Sequence, residues 1–513
     1  MKAGMPYNVR PPSPCHPGVP LIESALAALG TVLAPHALLL MATGVGIGLV
    51  VGILPGLGGT VGMSLVLPFI YGMDPNVALA MLIGMIAVIH TSDTFPSVLL
   101  GVPGSSGSQA TILDGYPLAR QGQAQRALSA AFFASMLGGV VGAAALFALL
   151  PLARPLVLAL GSPELFMLAV LGLSMVGVLS GAGPLRGILA GMLGLLLGTV
   201  GAAPAAPHYR FTGDLIYLFD GIPLAVVALG LFALPEILDL LRAGESIARE
   251  ATMVGGWRDG LRDVIRHRWL ALRCSVLGIF VGFVPGLGGS VVDWLSYGQA
   301  VQVAKDRDGF GKGDIRGVIA PESSNNAKEG GALIPTLLFG IPGSGTTAVL
   351  LGGMILLGLE PGPTMLTTHL DSTLTIVWSL ALANVMGTLA CLVMTRPIAK
   401  ISVVPAHWLA PFLLVIMVAG AYQTTRDWGD LVAFLGIGLL GWIMKSLDFP
   451  RPPLLIGFVL ASSAERYLWI STTRYGWAWL RDPGVIVIAL ITIALTVAGS
   501  RLRGSIAARG MAS

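Results

Sequence analysis

Gly52-Ile-Leu-Pro-Gly-Leu-Gly-Gly59 interrupts an apolar run, and 230 residues later Gly282-Phe-Val-Pro-Gly-Leu-Gly-Gly289 interrupts another in the same way. Further along, Ser97-Val-Leu-Leu-Gly-Val-Pro-Gly-Ser105 recurs as Thr336-Leu-Leu-Phe-Gly-Ile-Pro-Gly-Ser344, offset by 239. A third match, Pro223-Leu-Ala-Val-Val-Ala-Leu with Pro453-Leu-Leu-Ile-Gly-Phe-Val, returns to an offset of 230. Matches in one order at nearly one spacing mark an internal duplication. The expected organisation is a Pro-rich leader over 1–18, a first transmembrane repeat over 19–240, and a basic linker with the start of the second repeat over 241–273. The second repeat follows over 274–470, then a terminal helix and basic tail over 471–513.

Composition sets these breaks in a membrane. Apolar residues make up 55% of the chain and charged residues 11%, where a soluble chain carries about 25%. Stretches such as Ala127–Leu150, Leu165–Leu179 and Val485–Val497 approach, with their flanks, the roughly 20 apolar residues a helix needs to cross the hydrocarbon core. The 69 Gly and 34 Pro cluster inside such runs. Non-helical backbone survives at membrane depth where it is buried in protein or lines a watery cavity. The expected fold is therefore an all-α polytopic membrane protein with broken or re-entrant helices and about 11–12 transmembrane segments. A net charge of +4 gives no case for nucleic acid, and Cys15, Cys274 and Cys391 lie too far apart in sequence for a disulfide or metal motif. Glu23 interrupts the first apolar run after the Pro-rich leader, so no cleaved signal peptide is expected.

Charge orients the halves. Arg242, Arg249, Arg258, Arg262, Arg266, Arg268 and Arg273 mark a cytoplasmic segment, since Lys and Arg are enriched in cytoplasmic loops. The loop Tyr71–Asn76 has no basic residue, but the corresponding loop of the second half has Lys305, Arg307, Lys312 and Arg316. After the second break the bias reverses, with Arg120 and Arg126 in the first half against Glu360 and Asp371 in the second. This exchange predicts two inverted-topology repeats, an arrangement common in secondary transporters. Arg154, Arg210 and Arg474 fall on the unexpected side.

Each break frees backbone groups and exposes helix ends. Amides at a helix N-terminus suit a carboxylate, and freed carbonyls suit a sodium ion. The candidate substrate residues are Gly101, Pro103, Gly104, Ser105, Ser106, Gly340, Pro342, Gly343, Ser344, Thr346 and Thr347, with Asn325 and Asn326 as further donors. Pro55, Gly56, Gly58, Gly59, Pro285, Gly286, Gly288 and Gly289 form the expected cation-binding or gating wall. Asp93 and Glu322 join them as ionisable groups at membrane depth. No Lys or Arg lies within the breaks, so backbone dipoles and a co-bound cation are expected to meet the anion. Gly340–Thr347 has P-loop glycine spacing, but Thr346 stands where the lysine must be. His90, His208, His267 and His369 lack metal spacing and read as interfacial or structural, and Trp257, Trp269, Trp469, Trp477 and Trp479 as interfacial anchors.

The combination Gly-x-x-Pro-Gly-Leu-Gly-Gly, Pro321-Glu-Ser-Ser-Asn-Asn-Ala327 with Gly330-Gly331, and Gly-Ile-Pro-Gly-Ser344 resembles the large membrane subunit (TctA) of the tripartite tricarboxylate transporter family over about 20–500. The resemblance implies a multi-pass protein of the bacterial inner membrane that imports carboxylates such as citrate. It also implies a small membrane subunit and a periplasmic solute-binding protein as partners, no cofactor, and Na+ or H+ as coupling ion. Two other readings compete. One is an intramembrane serine hydrolase, suggested by Gly104-Ser-Ser-Gly107 and Gly343-Ser-Gly345; the other is a passive channel-like pore.

Overall fold

The computed structural model describes residues 21–54, 57–179, 183–204, 208–242, 256–401 and 410–510. The leader 1–18, Pro55, Gly56 and residues 243–255 of the basic linker lie outside them. The chain is helical nearly throughout, with one short β pairing of Gly201–Ala202 and Tyr209–Arg210 among the described residues. Six helices are long and apolar enough to cross a membrane, accompanied by shorter apolar helices such as Leu21–Leu33 and Gly345–Leu356.

The first half contains α1 (Leu21–Leu33), α2 (Pro35–Ile53), α3 (Gly58–Val66), α4 (Pro75–Ser92), α5 (Thr94–Leu99) and α6 (Thr111–Arg120). It continues through α7 (Ala124–Leu158), α8 (Ser162–Leu179), α9 (Pro184–Gly198) and α10 (Leu224–Ala228), whose π-helical turn Leu229–Ala233 leads into α11 (Leu234–Arg242). The second half contains α12 (Trp257–Arg266), α13 (Arg268–Phe283), α14 (Gly288–Val303), α15 (Arg316–Phe339) and α16 (Gly345–Leu356). Then come α17 (Leu370–Ile401), α18 (Ala410–Gln423), α19 (Trp428–Ser446) and α20 (Arg451–Tyr475), with α21 (Pro483–Gly510) as a terminal addition.

Local geometry repeats with the sequence. Gly101 and Gly340 have φ of 69° and 68°, a left-handed backbone that glycine adopts at little cost, and each turns the chain out of a helix. The amides of Val102 and Ile341 close back onto the carbonyls of Pro96 and Pro335. Glycines then set close helix packing: Gly48 lies against the Met85 carbonyl, and its counterpart Gly278 against that of Ser324.

The halves interlock. α7 packs along α15 while α17 packs along α4, and α9 packs on α20 while α19 packs on the π-helical turn. Gly142 of the first half packs against Ala327 of the second, and Gly387 of the second half against Val88 of the first. The centre is made of α4–α5 and α15, buried almost from end to end. They run in opposite directions: Thr94 donates to Glu322 at 2.9 Å, and Asn326, a turn further along α15, donates to Thr91 at 2.9 Å. α7 and α17 also run in opposite directions, with Asn384 against Gly139 and Thr388 donating to the Phe132 carbonyl at 3.1 Å. Outer helices present apolar side chains outward, as lipid demands: Leu152 on α7 is 71% exposed and Val432 on α19 is 72%.

The loops cluster by charge. Gln121 donates to the Lys312 carbonyl at 2.8 Å, and Arg126 pairs with Asp263 at 2.6 Å, bringing three basic segments together. Separately, Asn76 donates to Asp371 at 3.3 Å and accepts from Ser372 at 2.7 Å, joining the two loops that lack basic residues. Arg210, on the unexpected side, is paired with Glu465 at 2.8 Å. Trp257, Trp269, Trp469 and Trp477 are exposed, but Trp479 is buried edge-on against Phe166 and does not stand as an outward anchor.

Candidate functional site

The described parts of all four breaks converge on one cavity of about 580 Å³. Pockets for small organic ligands span about 300–1,000 Å³. Gly58 and Gly59 reach it from the first break, and Gly286 and Gly289 from its copy. Pro103, Gly104, Ser105 and Ser106 line it from the first-half hairpin, and Gly343, Ser344 and Thr346 from the second. The N-terminal ends of α3, α14 and α16 all lie in its wall, so their partial positive charges meet there. Close approach is why glycine is needed: a methyl group on Gly59 would sit 2.9 Å from Thr346 Oγ1, and one on Gly289 would sit 3.1 Å from Gly107 Cα. These are equivalent contacts with the halves exchanged.

The two hairpins are built differently inside a common frame. Ser344 caps α16, accepting from the Thr347 amide at 3.2 Å while its own amide donates to Thr347 Oγ1 at 2.8 Å. Ser105 instead donates to the Asp93 carboxylate and accepts from the Gly107 amide at 3.0 Å. Asp293 on α14 accepts from the Ala110 amide at 2.5 Å, at the start of α6.

Several candidate residues stand behind the cavity wall. Glu322 accepts from Thr94, Thr111 and Ser135 at 2.8–3.0 Å and so fastens α5, α6 and α7 to α15. Asn326 donates to Thr91, Asn384 and the Ala87 carbonyl, clamping α15 to α4 and α17. Asn325 is fully buried against Gly107, and neither polar atom of its side chain has a protein partner. Gly101, Gly340, Pro342 and Thr347 shape the turns without lining the cavity, and Asp93, Pro285 and Gly288 also lie outside its wall. Pro55 and Gly56 are outside the described residues.

Sequence reasoning missed the charged wall. His90 and Lys328 line the cavity, and Arg451 lines it with Glu236, to which it donates at 2.7 Å. His90 is therefore neither interfacial nor distant from the breaks. Its Nε2 lies 3.0 Å from Glu329 Oε1, the same oxygen that Lys328 Nζ meets at 2.5 Å. His90 Nδ1 lies 3.8 Å from Asp93. A charge at the centre of a membrane helix costs about 2.5–3.5 kcal/mol on insertion scales. The adjacent Lys328 and Glu329 in the middle of α15 were the signal available in the sequence.

The model of the tripartite tricarboxylate transporter TctA family matches residues 38–456. The "Uncharacterized 52.8 kDa protein in TAR-I ttuC' 3'region" of Agrobacterium vitis is 31% identical over 452 residues, covering 87% of this chain and 89% of that protein. A second Agrobacterium vitis protein, named for the TAR-II ttuC' 3'region, is 31% identical over 195 residues, covering 37% of this chain and 79% of its own length. No solved structure matches. With the duplicated breaks, the apolar helices and a family match across most of its length, this multi-pass membrane protein belongs to the tripartite tricarboxylate transporter TctA family.

Proposed function

We propose that the chain is the substrate-carrying membrane subunit of a secondary transporter for small di- and tricarboxylates in the bacterial inner membrane. It takes substrate from a periplasmic binding protein, works beside a small membrane subunit, and is driven by a Na+ or H+ gradient. The observation that carries this reading is the convergence of the four duplicated breaks on one cavity of about 580 Å³, lined by helix N-termini and by His90, Lys328 and Arg451. Helix N-termini and cations together favour an anion. The acidic counterpart is Asp93 and Asp293 around the first hairpin; each has one carboxylate oxygen without a protein partner, as suits a coupling cation.

Two inverted repeats that rock about this cavity, with about 11–12 crossings, complete the reading. The opposite courses of α4–α5 and α15, and of α7 and α17, support inversion, as does the separation of basic from non-basic loops. A hydrolase gains no support from the hairpins. Asp93 stands between Ser105 and His90, whereas a hydrolytic triad needs the histidine beside the serine, and Ser344 is occupied with Thr347.

The test is uptake of labelled citrate, malate and succinate into proteoliposomes holding the chain, its small subunit and the cognate binding protein, under an imposed Na+ or H+ gradient. Saturable accumulation above the outside concentration is expected. Equilibration without saturation would point to a pore, and no movement of any carboxylate would refute the reading.

A further inference from the structure

α15 places Lys328 and Glu329 near the middle of its 24 residues, and both are buried, at 4% and 1% exposure. Consecutive residues on a helix diverge and do not normally face each other. Here both side chains bend to one point, where Glu329 Oε1 meets Lys328 Nζ at 2.5 Å and His90 Nε2 at 3.0 Å. Glu329 Oε2 has no protein partner. The arrangement has a front and a back: Lys328 and His90 line the cavity and Glu329 does not. His90 is also approached by Asp93 from its own helical segment, while the nearby ends of α3 and α16 bring only Gly59 and the hydroxyl of Thr346.

A pair needed only to lock helices together would have no reason to put its cation in a cavity wall and its anion behind. We propose that Lys328 and His90 are the receptor for one carboxylate of the substrate, and that Glu329 is the resident counter-ion that holds them in place until that carboxylate arrives. This rests on the carboxylate-transport reading and names the groups that make the contact. An entering carboxylate finds an ammonium already desolvated and fixed in position, with one of its three donors given to Glu329. Glu329 competes with the substrate for those donors, so it weakens binding and promotes release. The second half supplies Lys328 and the first half His90, so the carboxylate would touch both halves at one point of the wall. The equivalent of Lys328 in the first repeat is Ile89, so the receptor is not duplicated although the hairpins are.

The test measures binding of labelled citrate, malate and succinate to the purified full-length chain in nanodiscs, with a thermal melt for each variant. Lys328→Met alone strands a buried carboxylate, so the decisive variant is the charge-neutral pair Lys328→Met with Glu329→Gln. Its melt is expected to stay near the parent's while carboxylate binding weakens by about 10- to 100-fold, the loss of a charged hydrogen bond. Glu329→Gln alone is expected to bind at least as tightly as the parent, because the competitor is gone. Parental affinity in the double variant would overturn the receptor, and loss of binding in Glu329→Gln with an unchanged melt would overturn the counter-ion role. A parent chain that binds none of the three acids would instead refute the carboxylate reading itself, before any variant is compared.

Discussion

Gly104 and Gly343 show what one missing methyl group does in this protein. A Cβ on Gly104 would overlap the backbone of Asp93, and one on Gly343 would lie 2.8 Å from the Cβ of its counterpart Ala332. Overpacking of this kind costs about 1–3 kcal/mol and shifts backbone. Gly104→Ala and Gly343→Ala are therefore expected to lower the melting temperature and cut the initial uptake rate together, by displacing hairpins that line the cavity. Parental uptake in both variants would separate the hairpins from the transport path. Asn326 behaves differently. It gives its amide hydrogens to Thr91, Asn384 and the Ala87 carbonyl, away from the cavity. Asn326→Ala leaves buried acceptors unpaired, at about 1–3 kcal/mol. The expected result is a lower melt with substrate concentration dependence unchanged, measured on the folded fraction.

Helices explain what hydropathy could and could not find. α7, α17 and α19 are apolar runs that stand out in the sequence, because their outer faces meet lipid. α15 carries Glu322, Lys328 and Glu329 and does not read as a span, yet it is buried from Gly317 to Leu338. Glu322 is answered by the hydroxyls of Thr94, Thr111 and Ser135, roughly two hundred residues away, which leave no local pattern, whereas Lys328 and Glu329 answer each other side by side. The breaks were legible because glycine and proline leave their mark in the chain itself. Inversion is tested on the loops. Cysteines placed at Tyr71 and Asp308, both exposed, are expected to react with an impermeant reagent from opposite sides of the membrane. Cysteine at Glu360 should follow Tyr71, because the loops around them are joined through Asn76 and Asp371. Cys274 and Cys391 are buried and Cys15 is replaced in the background. Labelling of Tyr71→Cys and Asp308→Cys from one side would contradict inversion.

In the whole molecule each half lends helices to the other, with the described parts of the four breaks brought to one cavity between them. Duplication and the positions of the breaks could be read from the sequence. The convergence of the breaks on a single cavity could not, nor could the charged wall, since His90 of the first half reaches Lys328 and Glu329 of the second only through the packing of the two halves. If the proposed periplasmic binding protein delivers the substrate, high-affinity uptake into the proteoliposomes is expected to fall sharply when it is omitted. In the proposed function the cavity holds the carboxylate. Ser106 and Ser344 line it from opposite hairpins, and each can be replaced by cysteine in a background lacking Cys15. The decisive measurement is the rate at which a small permeant thiol reagent modifies Ser106→Cys and Ser344→Cys with and without a saturating carboxylate that the parent transports. The carboxylate is expected to slow modification at both hairpins, and a neutral amide analogue of the same size to slow neither. Equal rates with and without the carboxylate, in variants that still transport it, would contradict the claim.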